Sequence, residues 1–358
     1  MLLGVFALAA HPVPRPGSIP GFTPDSPDYL YGAVSILKGH YLVDWNGPAH
    51  VPRYTPTFSL MLAPAVALGG TAAAVWVPYL SALALGALGA VLAWRATRPA
   101  SAPLAVVAVL FWSAPIAYAG MIMSDLPATA LSLGSLAVLT LGGQKRLVAL
   151  AGALAGWVVV LRPGLSVLVV AGLAALTVRE ARLQLGSIYL LGTLPFVVAL
   201  GAWQWATFGS PLVTGYQALG ATDADGRFFA LDYILGPPWN VEGRSPNLIA
   251  YLGALSGLTG NMLPPGLGLL GLAGLALLAW RSDTAAAVGR YGLASVAGLL
   301  LVHVPYFFQT ERFLFVATSL LGIGAAVLLS EAATRLVRHV PWPAVSWLRS
   351  ARVGPARR

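Results

Sequence analysis

The chain of 358 residues contains no cysteine. A disulfide framework, a thiolate metal site and a cysteine nucleophile are therefore excluded. Charge is scarce as well: Asp, Glu, Lys and Arg make up 9% of the residues, against about 25% in a soluble domain. Together with 58% hydrophobic residues and a mean hydropathy of +0.77, this describes a polytopic membrane protein. A bilayer leaves only helices or a closed barrel, because the backbone must satisfy its own hydrogen bonds. The apolar runs are long, rich in Leu, Ala and Gly, and do not alternate, which selects helices. A persuasive internal repeat is also missing, which weakens the reading of a transporter built from inverted repeats.

What charge there is has a pattern. The formal net charge is +9, but the basic residues sit in short loops and the C-terminal tail, as the positive-inside rule produces, so no nucleic-acid partner is expected. Membrane spans are expected at about 72–95, 102–121, 124–142, 146–161, 163–178, 186–207, 264–281, 290–308 and 312–330. Arg95, Arg98, Lys145, Arg146, Arg179, Arg182, Arg281 and Arg290 then share one face with the basic tail 335–358, and that face is expected to be cytoplasmic. The other face receives two outer loops, 11–71 and 208–263, with seven of the twelve acidic residues. Residues 57–69 are apolar but too short to span, and read as a juxtamembrane or re-entrant helix. Residues 1–10 make half a span, either the end of a first span or a signal peptide ending near Ala7-Leu8-Ala9. The expectation is one membrane domain over 1–334 with about ten spans, in the inner membrane, followed by a basic tail lying at the lipid interface.

Against this apolar background the ionisable groups mark candidate function. The first outer loop reads Thr23-Pro24-Asp25-Ser26-Pro27-Asp28-Tyr29 and runs on to Arg53-Tyr54-Thr55-Pro56. A helix starting after Pro27 would make Asp25 an N-cap and Asp28 a first-turn carboxylate, with Tyr29, Ala33 and Leu37 as an apolar stripe. Asp125, in Ser124-Asp125-Leu126-Pro127, comes out on the same face. So do Arg162, in Leu161-Arg162-Pro163, and Arg312, in Glu311-Arg312-Phe313. Carboxylates and arginines gathered at one bilayer surface suit a phosphate-bearing lipid and a hydroxyl acceptor: arginine holds phosphate bidentately, and a carboxylate accepts a proton.

These segments, in this order, resemble the GT-C superfamily of polytopic glycosyltransferases that use polyprenyl-phosphate-linked sugars, in particular the protein O-mannosyltransferase and aminoarabinose transferase branch. The segments are Asp25-Ser26-Pro27-Asp28-Tyr29, Arg53-Tyr54-Thr55-Pro56-Thr57-Phe58, Ser124-Asp125-Leu126-Pro127, Leu161-Arg162-Pro163 and Phe208-Gly209-Ser210-Pro211-Leu212 through Tyr216. The resemblance implies a GT-C-like helical bundle and an extracytoplasmic active site. It implies Asp25 as catalytic base, with Asp28 as alternate base or as a metal or acceptor ligand. Arg53, Arg162 and Arg312 would bind the donor phosphate, and Tyr29, Tyr54, Asp125 and Tyr216 would line the substrate site. It implies an inverting transfer to a lipid, polysaccharide or protein acceptor, and allows a divalent cation. The pattern departs from many relatives in having Ser26 where Glu follows the Asp, and Thr57 in place of a second Pro.

The histidines match no metal motif: His11, His40 and His50 read as solvated loop residues and His303 as a packed, hydrogen-bonded one. Asp223, Asp225 and Asp232 lack the closing Glu of a calcium loop. Trp239-Asn240 and Tyr251 fit either a sugar platform or an interfacial belt. A transporter or lipid flippase, and an inactive membrane scaffold, are the competing functions. The first would place charges at mid-membrane in broken helices, whereas here the acidic residues avoid span centres.

Overall fold

The computed structural model describes residues 1–11, 23–43, 48–220, 226–236, 245–258, 262–281 and 284–339. Ten helices precede the late outer loop: α1 (Leu2–Ala9), α2 (Ser26–Leu37), α3 (Pro56–Gly69), α4 (Trp76–Ala96), α5 (Ser101–Leu110), α6 (Ser113–Ala119), α7 (Asp125–Leu141), α8 (Lys145–Leu161), α9 (Val167–Leu176) and α10 (Arg182–Phe208). The loop carries α11 (Gly215–Ala218), α12 (Asp232–Leu235) and α13 (Asn247–Ser256), and α14 (Leu267–Ala279), α15 (Thr284–His303) and α16 (Phe315–His339) complete the bundle. Among the described residues no strand forms, and pairing is confined to two isolated bridges, Val43 with His50 and Phe229 with Tyr306.

Each expected span has its helix, and the chain is an integral, multi-pass, all-α membrane protein. Four segments are long and apolar enough to cross a bilayer by themselves, Thr71–Ala96, Arg182–Phe208, Thr284–His303 and Glu311–Val337, and shorter apolar helices fill between them. Several boundaries differ from expectation, among them the end of α16, which runs to His339 rather than about 330; two others have a visible cause. The run 102–121 breaks at Phe111 and Trp112 into α5 and α6, because Pro115 has no amide to donate and its ring would clash with the carbonyl four residues back. The helix expected from residue 290 starts at Thr284 instead, so Arg290 lies inside α15; its guanidinium reaches the Thr177 hydroxyl at 2.8 Å rather than remaining in lipid.

Helices in lipid gain little from burying apolar surface against each other, so small residues that let backbones approach decide the pairing. Along the α8–α10 contact, a Cβ at Gly152 would lie 2.0 Å from the Tyr189 carbonyl oxygen. Along α14–α16, a Cβ at Gly274 would lie 2.0 Å from that of Gly324. Helix α16 is the centre of the bundle, with 83% of its apolar window buried, whereas α10, at 22%, is peripheral. Since α7 and α8 form an antiparallel hairpin, the start of α7 and the end of α8 come together at one end of the bundle. The juxtamembrane helices α2 and α3 pack on each other, and the Thr55 hydroxyl donates to the Val160 carbonyl at 2.5 Å, which pins them over that same end.

Candidate active site

Asp25 stands at the N-cap position of α2, but its side chain caps nothing. The capping expectation fails because the carboxylate turns across the bundle to Arg312, whose Nη2 donates to Oδ2 at 2.7 Å. The first turn is secured by Ser26 instead: its hydroxyl accepts from the Thr23 amide at 2.8 Å and donates to the Ile122 carbonyl at 3.1 Å. Of the expected stripe, Tyr29 and Ala33 are buried while Leu37 is 50% exposed. Asp28 faces the other way, and its carboxylate accepts the Arg53 backbone amide at 3.3 Å, tying the two halves of the first outer loop together.

A second ion pair lies beneath the first. Asp125 opens α7, where the helix dipole favours a carboxylate, and its Oδ1 meets Arg162 Nη1 at 2.5 Å. Pro163 forces the residue before it out of the helical region, so α8 ends and Arg162 is extended at φ −146°, its side chain swung off the helix end. Arg162 also lies 3.5 Å from the Ser124 hydroxyl, which is 3.3 Å from that of Tyr29. Both arginines share one aromatic ring: the guanidinium carbons of Arg162 and Arg312 lie 5.4 and 6.0 Å from the centroid of Phe313.

The tyrosines form the outer wall. Tyr29 stacks on Tyr54 at 4.4 Å, and Tyr54 meets the edge of Tyr216 at 5.5 Å. The Tyr54 ring thus lies between those of Tyr29 and Tyr216. Burial raises all three hydroxyls above their ordinary range, so they stay protonated and able to donate. Tyr216 is placed by a capping box between Thr214 and Gln217 and by Gly215, whose Cα passes so close to Arg53 that a Cβ would sit 2.2 Å from its carbonyl oxygen. The Arg53 guanidinium is exposed at the rim, 5.9 Å over the Tyr216 ring.

All nine residues singled out from sequence therefore come together at one end of the bundle. Sequence reasoning gave His303 a hydrogen bond it does not have. The ring is packed, stacked on Phe313 at 4.6 Å and 4% exposed, yet both its nitrogens lack partners. Tyr251 is neither platform nor belt: it is fully buried, and its hydroxyl accepts the Thr310 amide at 3.2 Å. With Asn247, which donates to the Val304 and Tyr306 carbonyls, it fastens the segment that carries Arg312. Phe313 is the residue that sequence reasoning missed; one aromatic among many in an apolar chain gives no signal of its own. His11, His40 and His50 stay apart, against Trp76, Ser35 and the Pro48 carbonyl respectively. Asp232 is exposed, 4.0 Å from Arg227. Asp223, Asp225, Trp239 and Asn240 fall outside the described residues.

Among the described residues no group of three or more His, Cys, Asp and Glu forms that could hold a metal ion, and Asp25 and Asp125 are each paired with an arginine.

The carboxylate–arginine pairs thus lie at one end of a polytopic helical bundle whose first outer loop carries helices of its own. Comparison with solved structures gives the same fold. ArnT from Cupriavidus metallidurans bound to undecaprenyl phosphate superposes with a TM-score of 0.61 at 15% identity, over 94% of this chain and 61% of that one. The Archaeoglobus fulgidus oligosaccharyltransferase in complex with Zn and sulfate gives 0.57 at 14%, over 94% and 49%. The same organism's AglB, in complex with an inhibitory peptide and a dolichol-phosphate, gives 0.55 at 12%, over 99% and 52%. The chain thus spans about half to three-fifths of the structures it matches. No protein-family model matches the sequence, and no curated protein does.

Proposed function

We propose that this chain is an inverting membrane glycosyltransferase that moves a sugar from a polyprenyl-phosphate donor to a hydroxyl-bearing acceptor of the cell envelope. The observation that carries this reading is the Asp25–Arg312 pair: a candidate base and a candidate phosphate ligand in direct contact at 2.7 Å, under an exposed Arg53. Structures of the same fold, with undecaprenyl phosphate on ArnT and dolichol-phosphate on AglB, support a lipid-phosphate donor.

In this reading the donor phosphate meets Arg53 at the rim and draws Arg312 away from Asp25. The freed carboxylate is then available to the acceptor hydroxyl. The acceptor oxygen forms a bond to the anomeric carbon, its proton passes to Asp25, and the bond from that carbon to the phosphate oxygen breaks. The lipid phosphate leaves with the electron pair. Its growing charge strengthens the bonds from Arg53 and Arg312, so these act mainly on the transition state. Asp28, committed to the Arg53 amide, keeps the loop closed, and we assign the base to Asp25. The side bearing the pairs is the extracytoplasmic one, since the opposite end carries the loop arginines.

The test is release of free polyprenyl phosphate by the purified protein in lipid, with a panel of donors and envelope extract as acceptor. Asp25→Asn should abolish turnover while the protein stays folded. Loss in Asp28→Asn alone would move the base to Asp28. Absence of release from every donor would sink the transferase reading.

A further inference from the structure

A buried polar atom without a partner is costly, and native structures hold few of them. In this bundle four such atoms gather around one ring. They are Asp125 Oδ2, Arg312 Nε, and Nδ1 and Nε2 of His303. His303 stacks on Phe313 at 4.6 Å, and the Arg162 and Arg312 guanidiniums flank the same ring, with Asp125 bonded to Arg162. Elsewhere among the described residues such atoms occur singly, as on Ser295 and Ser330. The concentration is a property of this end of the bundle and not of the packing in general.

The kinds of atom say what would satisfy them. Asp125 Oδ2 needs a donor, Arg312 Nε needs an acceptor, and a neutral imidazole needs one of each. An ionised phosphate offers acceptors only and would leave Asp125 Oδ2 and one nitrogen of His303 unmade. A sugar hydroxyl donates and accepts at once. We infer that Asp125, His303 and Arg312 form the subsite for the hydroxyls of the transferred sugar, with His303 as the residue that distinguishes a sugar-bearing lipid from the bare lipid phosphate. This rests on the glycosyltransferase reading above and assigns a role within that site.

Access to the imidazole lies past aromatic rings: Phe313, stacked on it and itself half-buried, and Tyr306, edge-on at 6.1 Å. Gly164 flanks it on another side, where a Cβ would stand 3.5 Å from His303 Cε1, an ordinary contact distance. The turn bearing Gly164 follows Arg162, and that bearing Phe313 follows Arg312; sugar and phosphate sites are therefore built from the same two turns.

The experiment is equilibrium binding of undecaprenyl phosphate and of undecaprenyl-phosphoryl mannose to the full chain in lipid nanodiscs. The wild type should bind the mannosyl lipid at least about tenfold tighter, a difference of about 1.4 kcal/mol. His303→Phe, which keeps the stack on Phe313 and removes both nitrogens, should cut that advantage at least fivefold and leave the Kd of the bare lipid within twofold. His303→Gln, which restores a donor and an acceptor, should recover most of it. Equal weakening of both lipids, or an undiminished advantage in His303→Phe, would overturn the subsite. A second measurement needs no variant: replacing the mannosyl hydroxyls one at a time by hydrogen should weaken wild-type binding about tenfold for at least one position, and a series within twofold of the parent would also overturn it. If the wild type binds both lipids equally, the phosphate site stands and the sugar subsite falls. If it binds neither, the lipid-donor reading falls and this inference with it.

Discussion

The two ends of the bundle hold their arginines differently. At the end opposite the site, Arg95 donates to the Thr140 carbonyl at 2.6 Å, Arg98 to the Thr334 hydroxyl at 2.7 Å and Arg179 to the Leu139 carbonyl at 3.3 Å. Arg95 and Arg179 cap the C-terminus of α7, where a cation is favoured by the dipole, while Arg98 reaches a side chain of α16. Arg281, which pairs with Glu331, is 35% exposed. At the site end, Arg162 and Arg312 are 16% and 18% exposed, and each is committed to a carboxylate that is itself largely buried. The first arrangement costs little and is what topology requires. The second removes four charges from water, which excellent geometry alone barely offsets. A molecule keeps such pairs where they do something besides hold it together.

Four perturbations would break or sharpen that contrast. The largest effect is expected from a matched pair of neutralised carboxylates, one at each end. Asp25→Asn should lower turnover by about 10²–10⁴, the range for a lost general base, whereas Glu331→Gln should leave turnover within twofold. Comparable losses from both would show that any broken ion pair damages the fold. Next, Asp125→Ala strands Arg162 in a buried site and should cost about 3–5 kcal/mol, read as a lowered thermal unfolding midpoint in lipid. Arg281→Ala should cost less in the same assay, because Arg281 is itself 35% exposed, although its partner Glu331 is only 10% exposed and would be left without it. The last effect has the opposite sign. His303→Phe should raise stability by about 1–2 kcal/mol, since it deletes two unmade hydrogen bonds and keeps the ring stack. A destabilised His303→Phe would mean that the imidazole is held by packing that a phenyl cannot reproduce.

How much of this could be read in the chain depends on the range of the interaction. The helices were readable because hydropathy and length are local properties, and a helix satisfies its backbone within itself. Where a boundary went astray, a long-range or steric term intervened: Pro115 split α5 from α6, and a contact from Arg290 to Thr177 let α15 begin six residues earlier than its hydropathy implied. The residues of the site were readable too, because charge in a membrane chain is rare enough that Asp25, Asp125, Arg162 and Arg312 stand out singly. Their partners were not. Asp25 reads as a helix cap by every local rule, and only its position opposite Arg312, 287 residues along the chain, turns its carboxylate elsewhere.

The sequence by itself determined the solvent of this protein, the order of its apolar helical segments, and which charged and aromatic side chains are candidates for chemistry. Composition and periodicity carry that information residue by residue. Tertiary structure decided which carboxylate meets which arginine, that Phe313 stands between the two pairs, and that His303 is buried with its hydrogen bonds unmade. Those outcomes depend on how closely helices approach across small residues such as Gly152 and Gly274. That approach is a sum over contacts between distant segments, and no window of sequence contains it.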